Sequence, residues 1–191
     1  MPCCVAVARH VQDQVIIRGD QLLKDIQSLI RRIDKKRQSQ RTNWRMVVGV
    51  ARGGVFPAQR VAEALGLQYR EMRVSYYQGT VKKTAPDVLK ALKDDRAGDG
   101  IIVVDDVADS GETALCVRNM LPKCDLAAVY AKPAGLRALI SQSGGAALYG
   151  RKMPDKWIVF PWDQQDWNDE YPRLVAAFRK TRSGATKSSS R

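Results

Sequence analysis

The sequence predicts an α/β protein with a mainly parallel central sheet flanked by helices. Two observations carry that expectation. Runs such as Met46–Ala51 and 101–105 are apolar at nearly every position instead of every second one, the pattern of strands covered on both faces. Segments with helical spacing alternate with these runs, and alternation of that kind builds parallel sheets. At 191 residues the chain suits one domain with a sizeable core.

Each element follows in order. Residues 1–19 form an N-terminal segment whose apolar stretch, Val5-Ala6-Val7-Ala8, is too short for a signal-peptide core. Asp20 caps a helix in which Leu22, Leu23, Ile26, Leu29, Ile30 and Ile33 repeat at the spacing of one buried face. That helix is expected to end in a basic, Gln-rich connector around residues 34–43. Met46–Ala51 reads as a strand, Arg52-Gly53-Gly54 as a turn, and Val55–Leu65 as a helix closed by Gly66.

A second strand is expected over 68–75. Residues 76–86 lack apolar periodicity and read as a loop long enough to be a lid. Residues 87–93 fit helix or strand, and 94–100 are a turn-rich approach to the strand at 101–105. A helix over about 111–121 and a strand over 126–131 follow. The main domain should occupy residues 20–180; the Ser-, Gly- and Lys-rich segment 181–191 has almost nothing to bury and reads as a disordered basic tail.

The net charge of +12 sits in two blocks. Residues 31–41 carry six Lys/Arg against Asp34, and residues 173–191 carry six with no acid, so these blocks hold eleven of the twelve net charges. Such segments attract nucleic acid in some proteins and are solvated surface in others; the solvated reading is the one favoured here. Cys3, Cys4, Cys116 and Cys124 show no metal-ligand spacing, and His10 is the only histidine, so no zinc site is expected. Cys116 and Cys124 read as buried free thiols of a reducing compartment. No apolar run approaches the roughly 20 residues that span a bilayer, and a soluble cytoplasmic protein is expected.

The chemistry concentrates in Ile101-Ile102-Val103-Val104-Asp105-Asp106-Val107-Ala108-Asp109-Ser110-Gly111-Glu112-Thr113. An apolar strand runs into two carboxylates, and ligands of open α/β sheets bind just past the carboxyl ends of such strands. Residues 109–113 then offer consecutive backbone N–H groups and two hydroxyls at a helix start, a nest for one phosphate. An isolated Asp-Asp would read as a helix-capping pair; the complete string carries more. Met46–Ala51 with Arg52-Gly53-Gly54 repeats the logic, because glycines let backbone amides approach an anion closely. Two anion loops in one sheet suit a diphosphorylated sugar.

The thirteen-residue string resembles the phosphoribosyl-diphosphate (PRPP) motif of the type I phosphoribosyltransferases. Ala131-Lys132-Pro133-Ala134-Gly135 and Lys156-Trp157-Ile158-Val159-Phe160-Pro161-Trp162-Asp163 are similar to the base-recognition segments of the bacterial xanthine-guanine phosphoribosyltransferases, and the likeness covers roughly residues 44–163. It implies the type I fold with a small hood that recognises the base, and transfer of the 5-phosphoribosyl group from PRPP to a 6-oxopurine. It implies that Arg52, Gly53 and Gly54 bind pyrophosphate and that Asp105 and Asp106 hold Mg²⁺ or the ribose hydroxyls. Asp109 would take the proton from purine N7, with Ser110, Gly111, Glu112 and Thr113 on the 5′-phosphate. Asp109 and Arg52 are the catalytic candidates.

For the base, the resemblance assigns Lys132 to the 6-oxo oxygen, the Trp157 ring to stacking, and backbone around Ile158 to the 2-substituent. Physical reasoning agrees for two of these: a lysine donates to an oxo group and finds an amino group a poor partner, and an indole gives a base a flat apolar face. Each alone would read as a surface lysine or a core aromatic. The family further implies Lys82 or Lys83 of the lid near pyrophosphate, a non-proline cis peptide at Ala51–Arg52, and dimers or tetramers. The chain departs from the bacterial pattern in the basic connector before Trp44, in residues 142–151, after Asp163, and in placing Glu112 inside the phosphate loop, which requires an outward side chain. A PRPP-sensing nucleic-acid-binding regulator with the same fold is the alternative, although no dedicated nucleic-acid reader is visible. Transfer to a different acceptor is a third reading.

Overall fold

The structure, a computed structural model, describes residues 14–40, 42–77, 80–82, 98–142, 147–164 and 166–186. Its elements are β1 (Gln14–Ile16), α1 (Gly19–Gln40), β2 (Met46–Ala51), α2 (Val55–Leu65), β3 (Gln68–Arg73), β4 (Ser75–Tyr77) and β5 (Thr80–Lys82). There follow β6 (Ile101–Ala108), α3 (Glu112–Met120), β7 (Asp125–Ala131), α4 (Pro133–Gln142), β8 (Leu148–Lys152), β9 (Trp157–Val159), a 3-10 turn (Pro161–Asp163) and α5 (Trp167–Thr186). Contacts divide the chain into two compact units, Asp25–Pro154 and Met1–Lys24 with Asp155–Arg191.

The larger unit is built on a five-stranded, wholly parallel sheet in the order β3-β2-β6-β7-β8. Its central strands are the uninterrupted apolar runs: Val47, Val48, Ile101, Ile102 and Val104 have no exposed surface. Helices α2, α3 and α4 lie in the connections β2–β3, β6–β7 and β7–β8, the βαβ arrangement that parallel neighbours require. α2 has the predicted bounds, and Gly66 closes it in the left-handed region (φ 65°), donating its N–H to the Ala62 carbonyl.

Several elements differ from the sequence expectation, each for a local reason. β6 runs on to Ala108, because its far edge stays paired with β7 through Val107↔Tyr130 and Ala108↔Ala131. Asp105 and Asp106 therefore lie within the strand. Residues 76–86 open on two short antiparallel strands, β4 and β5, in which Tyr76, Tyr77, Thr80 and Val81 are strand-favouring residues. The rest of that stretch, with Lys83, and the ambiguous segment 87–93 lie outside the described residues. β8 was not expected; it forms the sheet edge inside the 142–151 segment, with Leu148 and Gly150 buried.

α1 continues through the supposed connector to Gln40, and Asp20 stands inside its first turn, paired with Lys24 at 3.5 Å. Lys, Arg and Gln are good helix formers, and cations are favoured near a helix C-terminus. Several cations of this block hold the fold together. Lys36 Nζ donates to Asp125 Oδ1 at 2.6 Å, Trp44 Nε1 donates to Asp125 Oδ2 at 2.8 Å, the Arg32 guanidinium lies 4.7 Å over the Tyr149 ring, and Arg37 donates to the Leu65 carbonyl at 3.4 Å. Asp125→Ala strips partners from a mostly buried ammonium and an indole, and should lower the unfolding free energy by about 2–3 kcal/mol in urea titration. A loss below about 0.5 kcal/mol would show that this junction contributes little.

In the smaller unit β1 pairs in parallel with β9, in the register Gln14↔Trp157 and Val15↔Ile158. Leu174 and Phe178, one turn apart on α5, are buried, and Trp162, Trp167 and Tyr171 pack edge to face at centroid distances of 5.7 and 5.3 Å. α5 extends through residues 181–186, part of the expected tail, because helix propagation gains one hydrogen bond per added residue without further burial. Residues 187–191 lie outside the described residues.

Cys116 and Cys124 are buried free thiols, and burial pushes the Cys124 thiol up to about 11. Cys3, Cys4 and His10 lie outside the described residues. Among the described residues no helix is long and apolar enough to cross a membrane.

Candidate active site

In a parallel sheet all strand C-termini meet one rim, and here β2 leads outward to β3 while β6 leads the other way to β7 and β8. The gap between β2 and β6 is thus the point where strand order reverses, the place open α/β sheets bind ligands. Pairing between the two strands stops at Gly49↔Val104. Asp105 and Asp106 emerge where β6 has just lost its neighbour on that side.

The two acids are held by their own backbone. Asp105 Oδ1 accepts the Asp106 N–H at 3.0 Å, and Asp106 Oδ1 accepts the Val107 N–H at 2.8 Å. Burial, and secondarily the adjacent Asp106 carboxylate, hold the Asp105 carboxyl well above the usual carboxylate range. A cation at this pair would relieve both causes. Across the gap, the Ala51–Arg52 peptide is cis, Arg52 is exposed, and Gly53 lies so close to Asp106 that an added Cβ would collide with its carboxylate. An added Cβ on Gly54 would stand 2.6 Å from the Val104 carbonyl oxygen. The structure thus brings the first predicted anion loop against the strand that carries the paired acids.

Residues 109–113 turn from β6 into α3. Ser110 Oγ accepts the Glu112 N–H at 3.3 Å, and Gly111 adopts φ 96°, a left-handed conformation that favours glycine. The first-turn amides of α3 have no intrahelical acceptors. Glu112 is exposed, as an acid at this position requires. A cleft of about 460 Å³ including its open mouth passes beneath the loop, lined on its polar side by Asp105, Asp109, Ser110, Gly111 and Thr113.

Lys132 ends β7 with 6% of its surface exposed, and its Nζ donates to Asp109 Oδ2 at 2.9 Å. The Asp109 side chain is 53% exposed. Two residues earlier on the same strand, burial and then Asp25 raise the Tyr130 phenol above its ordinary range. Trp157 and Ile158 stand in the smaller unit on β9, Trp157 with 58% of its surface exposed and Ile158 buried at 6%.

Sequence reasoning missed the packing of two small residues of α4, Gly135 and Ala138, beneath the 109–113 turn. An added Cβ on Gly135 would collide with the Ala108 carbonyl, and one on Gly111 would collide with Ala138. α4 therefore packs directly under the turn that carries Asp109. The only hint in the sequence is the run of small residues Ala134-Gly135 and Ala138 on α4.

Comparison with known proteins agrees with this geometry. The phosphoribosyl transferase domain model matches residues 17–164. The xanthine-guanine phosphoribosyltransferase of Nitratidesulfovibrio vulgaris (strain Hildenborough) is 35% identical over 150 residues, covering 78% of this chain and 84% of that protein. A purine phosphoribosyltransferase from Pyrococcus horikoshii shares the fold with a TM-score of 0.57 at 23% identity, over 80% of this chain and 96% of that one. The xanthine-guanine-hypoxanthine phosphoribosyltransferase of Helicobacter pylori does so with a TM-score of 0.59 at 20% identity, over 83% and 99%. With a family model that matches residues 17–164 and a 35% identical relative covered over 84% of its length, this chain belongs to the type I phosphoribosyltransferases.

Proposed function

We propose that this protein is a purine-salvage enzyme that transfers the 5-phosphoribosyl group from PRPP to a 6-oxopurine (guanine, xanthine or hypoxanthine), giving the nucleoside 5′-monophosphate and pyrophosphate. The observation that carries the reading is the Asp109–Lys132 pair, an acceptor and a donor held 2.9 Å apart at the rim. N7–H and the 6-oxo oxygen lie side by side on the purine edge, and this pair is their complement. Adenine presents an amino group to Lys132, a donor facing a donor.

In the reaction N9 attacks C1 of the ribose, the C1–O bond to pyrophosphate breaks, and the N7 proton passes to Asp109. Charge spreads over the sugar ring in the transition state, so the protein's work is mainly positioning and electrostatic stabilisation. Arg52 with the Gly53 amide would receive the pyrophosphate, the Gly54 N–H being already given to the Val50 carbonyl at 2.8 Å, and Ser110 to Thr113 would receive the 5′-phosphate. The family resemblance gives Trp157 the stacking role and the backbone around Ile158 the reading of the 2-substituent. The short strands β4 and β5 of the 76–86 segment would form part of a lid that excludes water.

Asp105 and Asp106 fit Mg²⁺: two adjacent carboxylates with lone pairs beyond those given to backbone, one of them held protonation-prone by burial and its neighbour. When bound, the ion would neutralise charge on the leaving pyrophosphate. Among the described residues no group of three or more His, Cys, Asp or Glu is placed to hold a metal ion. The proposal extends to a homo-oligomer acting in the cytoplasm.

Purified protein with Mg²⁺ and PRPP should release pyrophosphate with guanine, xanthine or hypoxanthine and almost none with adenine. Absence of release with all three 6-oxopurines would reject the function.

A further inference from the structure

We infer that Glu112 sets the strength of the phosphate loop, weakening its hold on phosphorylated ligands and so speeding release of the nucleotide product. The inference rests on the function proposed above and deepens it. Glu112 is the first residue of α3, is exposed, and has no side-chain partner among the described residues. Its neighbours Ser110, Gly111 and Thr113 line the cleft and Glu112 does not, so its backbone belongs to the loop while its carboxylate stands outside. It can act on a ligand only through its field.

No cation of the loop itself opposes that field. Residues 105–114 contain Asp105, Asp106, Asp109 and Glu112 and no cation. Lys132, the buried cation at this rim, is already engaged by Asp109. What attracts a phosphate here is the set of first-turn amides and hydroxyls of α3, and a carboxylate at the head of that helix draws on the same positive end of the dipole. A phosphate dianion arriving at the loop therefore meets like charge. The cost applies to PRPP and to the product nucleotide alike, and it vanishes for a nucleoside that carries no phosphate.

A purely structural role predicts something different. An acid in the first turn stabilises the helix, so removing its charge should slightly lower thermal stability and leave ligand affinity untouched. The tuning role predicts a gain in affinity alongside that small loss of stability.

Calorimetric titration of GMP and guanosine into the parent protein, Glu112→Gln and Glu112→Lys separates these. With about 50 mM NaCl, Glu112→Gln should bind GMP about three- to tenfold more tightly than the parent and Glu112→Lys more tightly still, with guanosine unchanged; with about 500 mM NaCl the differences should shrink. In steady state the KM for PRPP should fall in the same order, with kcat falling where product release limits turnover. GMP affinities within about twofold across the series, or guanosine tightening as much as GMP, would overturn the inference. A parent protein that binds no GMP and releases no pyrophosphate would overturn the function as well, so the two failures are distinct.

Discussion

Asp109→Asn is expected to lower kcat with guanine by about 10²- to 10⁴-fold while leaving the affinity for PRPP and Mg²⁺ nearly unchanged. The amide keeps the size of the carboxylate and can still face Lys132 through its oxygen, but it cannot accept the N7 proton. Asp109 lies in a turn held by backbone contacts, with α4 packed against the carbonyls of Ala108 and Asp109 at Gly135, so the loop should keep its shape. Single-turnover release of pyrophosphate isolates the chemical step from binding. Turnover at the parent rate would remove the acid/base role of Asp109.

Lys132→Met is expected to lower kcat/KM for guanine by about 10²- to 10³-fold and to collapse the preference for guanine over adenine. Methionine matches the stem of a side chain that is already almost wholly buried, so packing at the end of β7 should survive. The loss has two parts: the donor to the 6-oxo oxygen disappears, and Asp109 loses the ion partner that fixes its orientation. Paired assays with guanine and adenine read the effect directly. Retention of strong discrimination against adenine would move base recognition elsewhere.

The central strands and the site string were legible because burial on both faces writes itself as unbroken apolar runs, and because an anion loop needs glycine and hydroxyl residues at fixed offsets. Met46–Ala51, Val55–Leu65 and Gly66 stand where those patterns put them. The run after Val104 was harder. Asp105 and Asp106 look like a strand end, yet β6 continues past them because β7 still pairs on the other side, and pairing on one edge alone leaves no mark in composition. β1, β8 and β9 were invisible for a related reason: short strands with few neighbours need little apolar sequence. The charged half of α1 looked like a connector because its partners, Asp125 and Tyr149, lie more than a hundred residues away along the chain for Tyr149 and nearly as far for Asp125. The meeting of Asp109 with Lys132 was suggested by resemblance, since nothing in the spacing of the two residues encodes it.

The nesting of Gly53 against the Asp106 carboxylate has a consequence for how the enzyme tolerates change. A side chain at Gly53 would have to push that acid aside, so an alteration in the turn after β2 would be felt by the paired carboxylates of β6. The two loops come from strands about fifty residues apart in sequence, yet in energetic terms they form one object. Losses from paired substitutions there will not add, and natural variation at either place should be admissible only when both shift in concert.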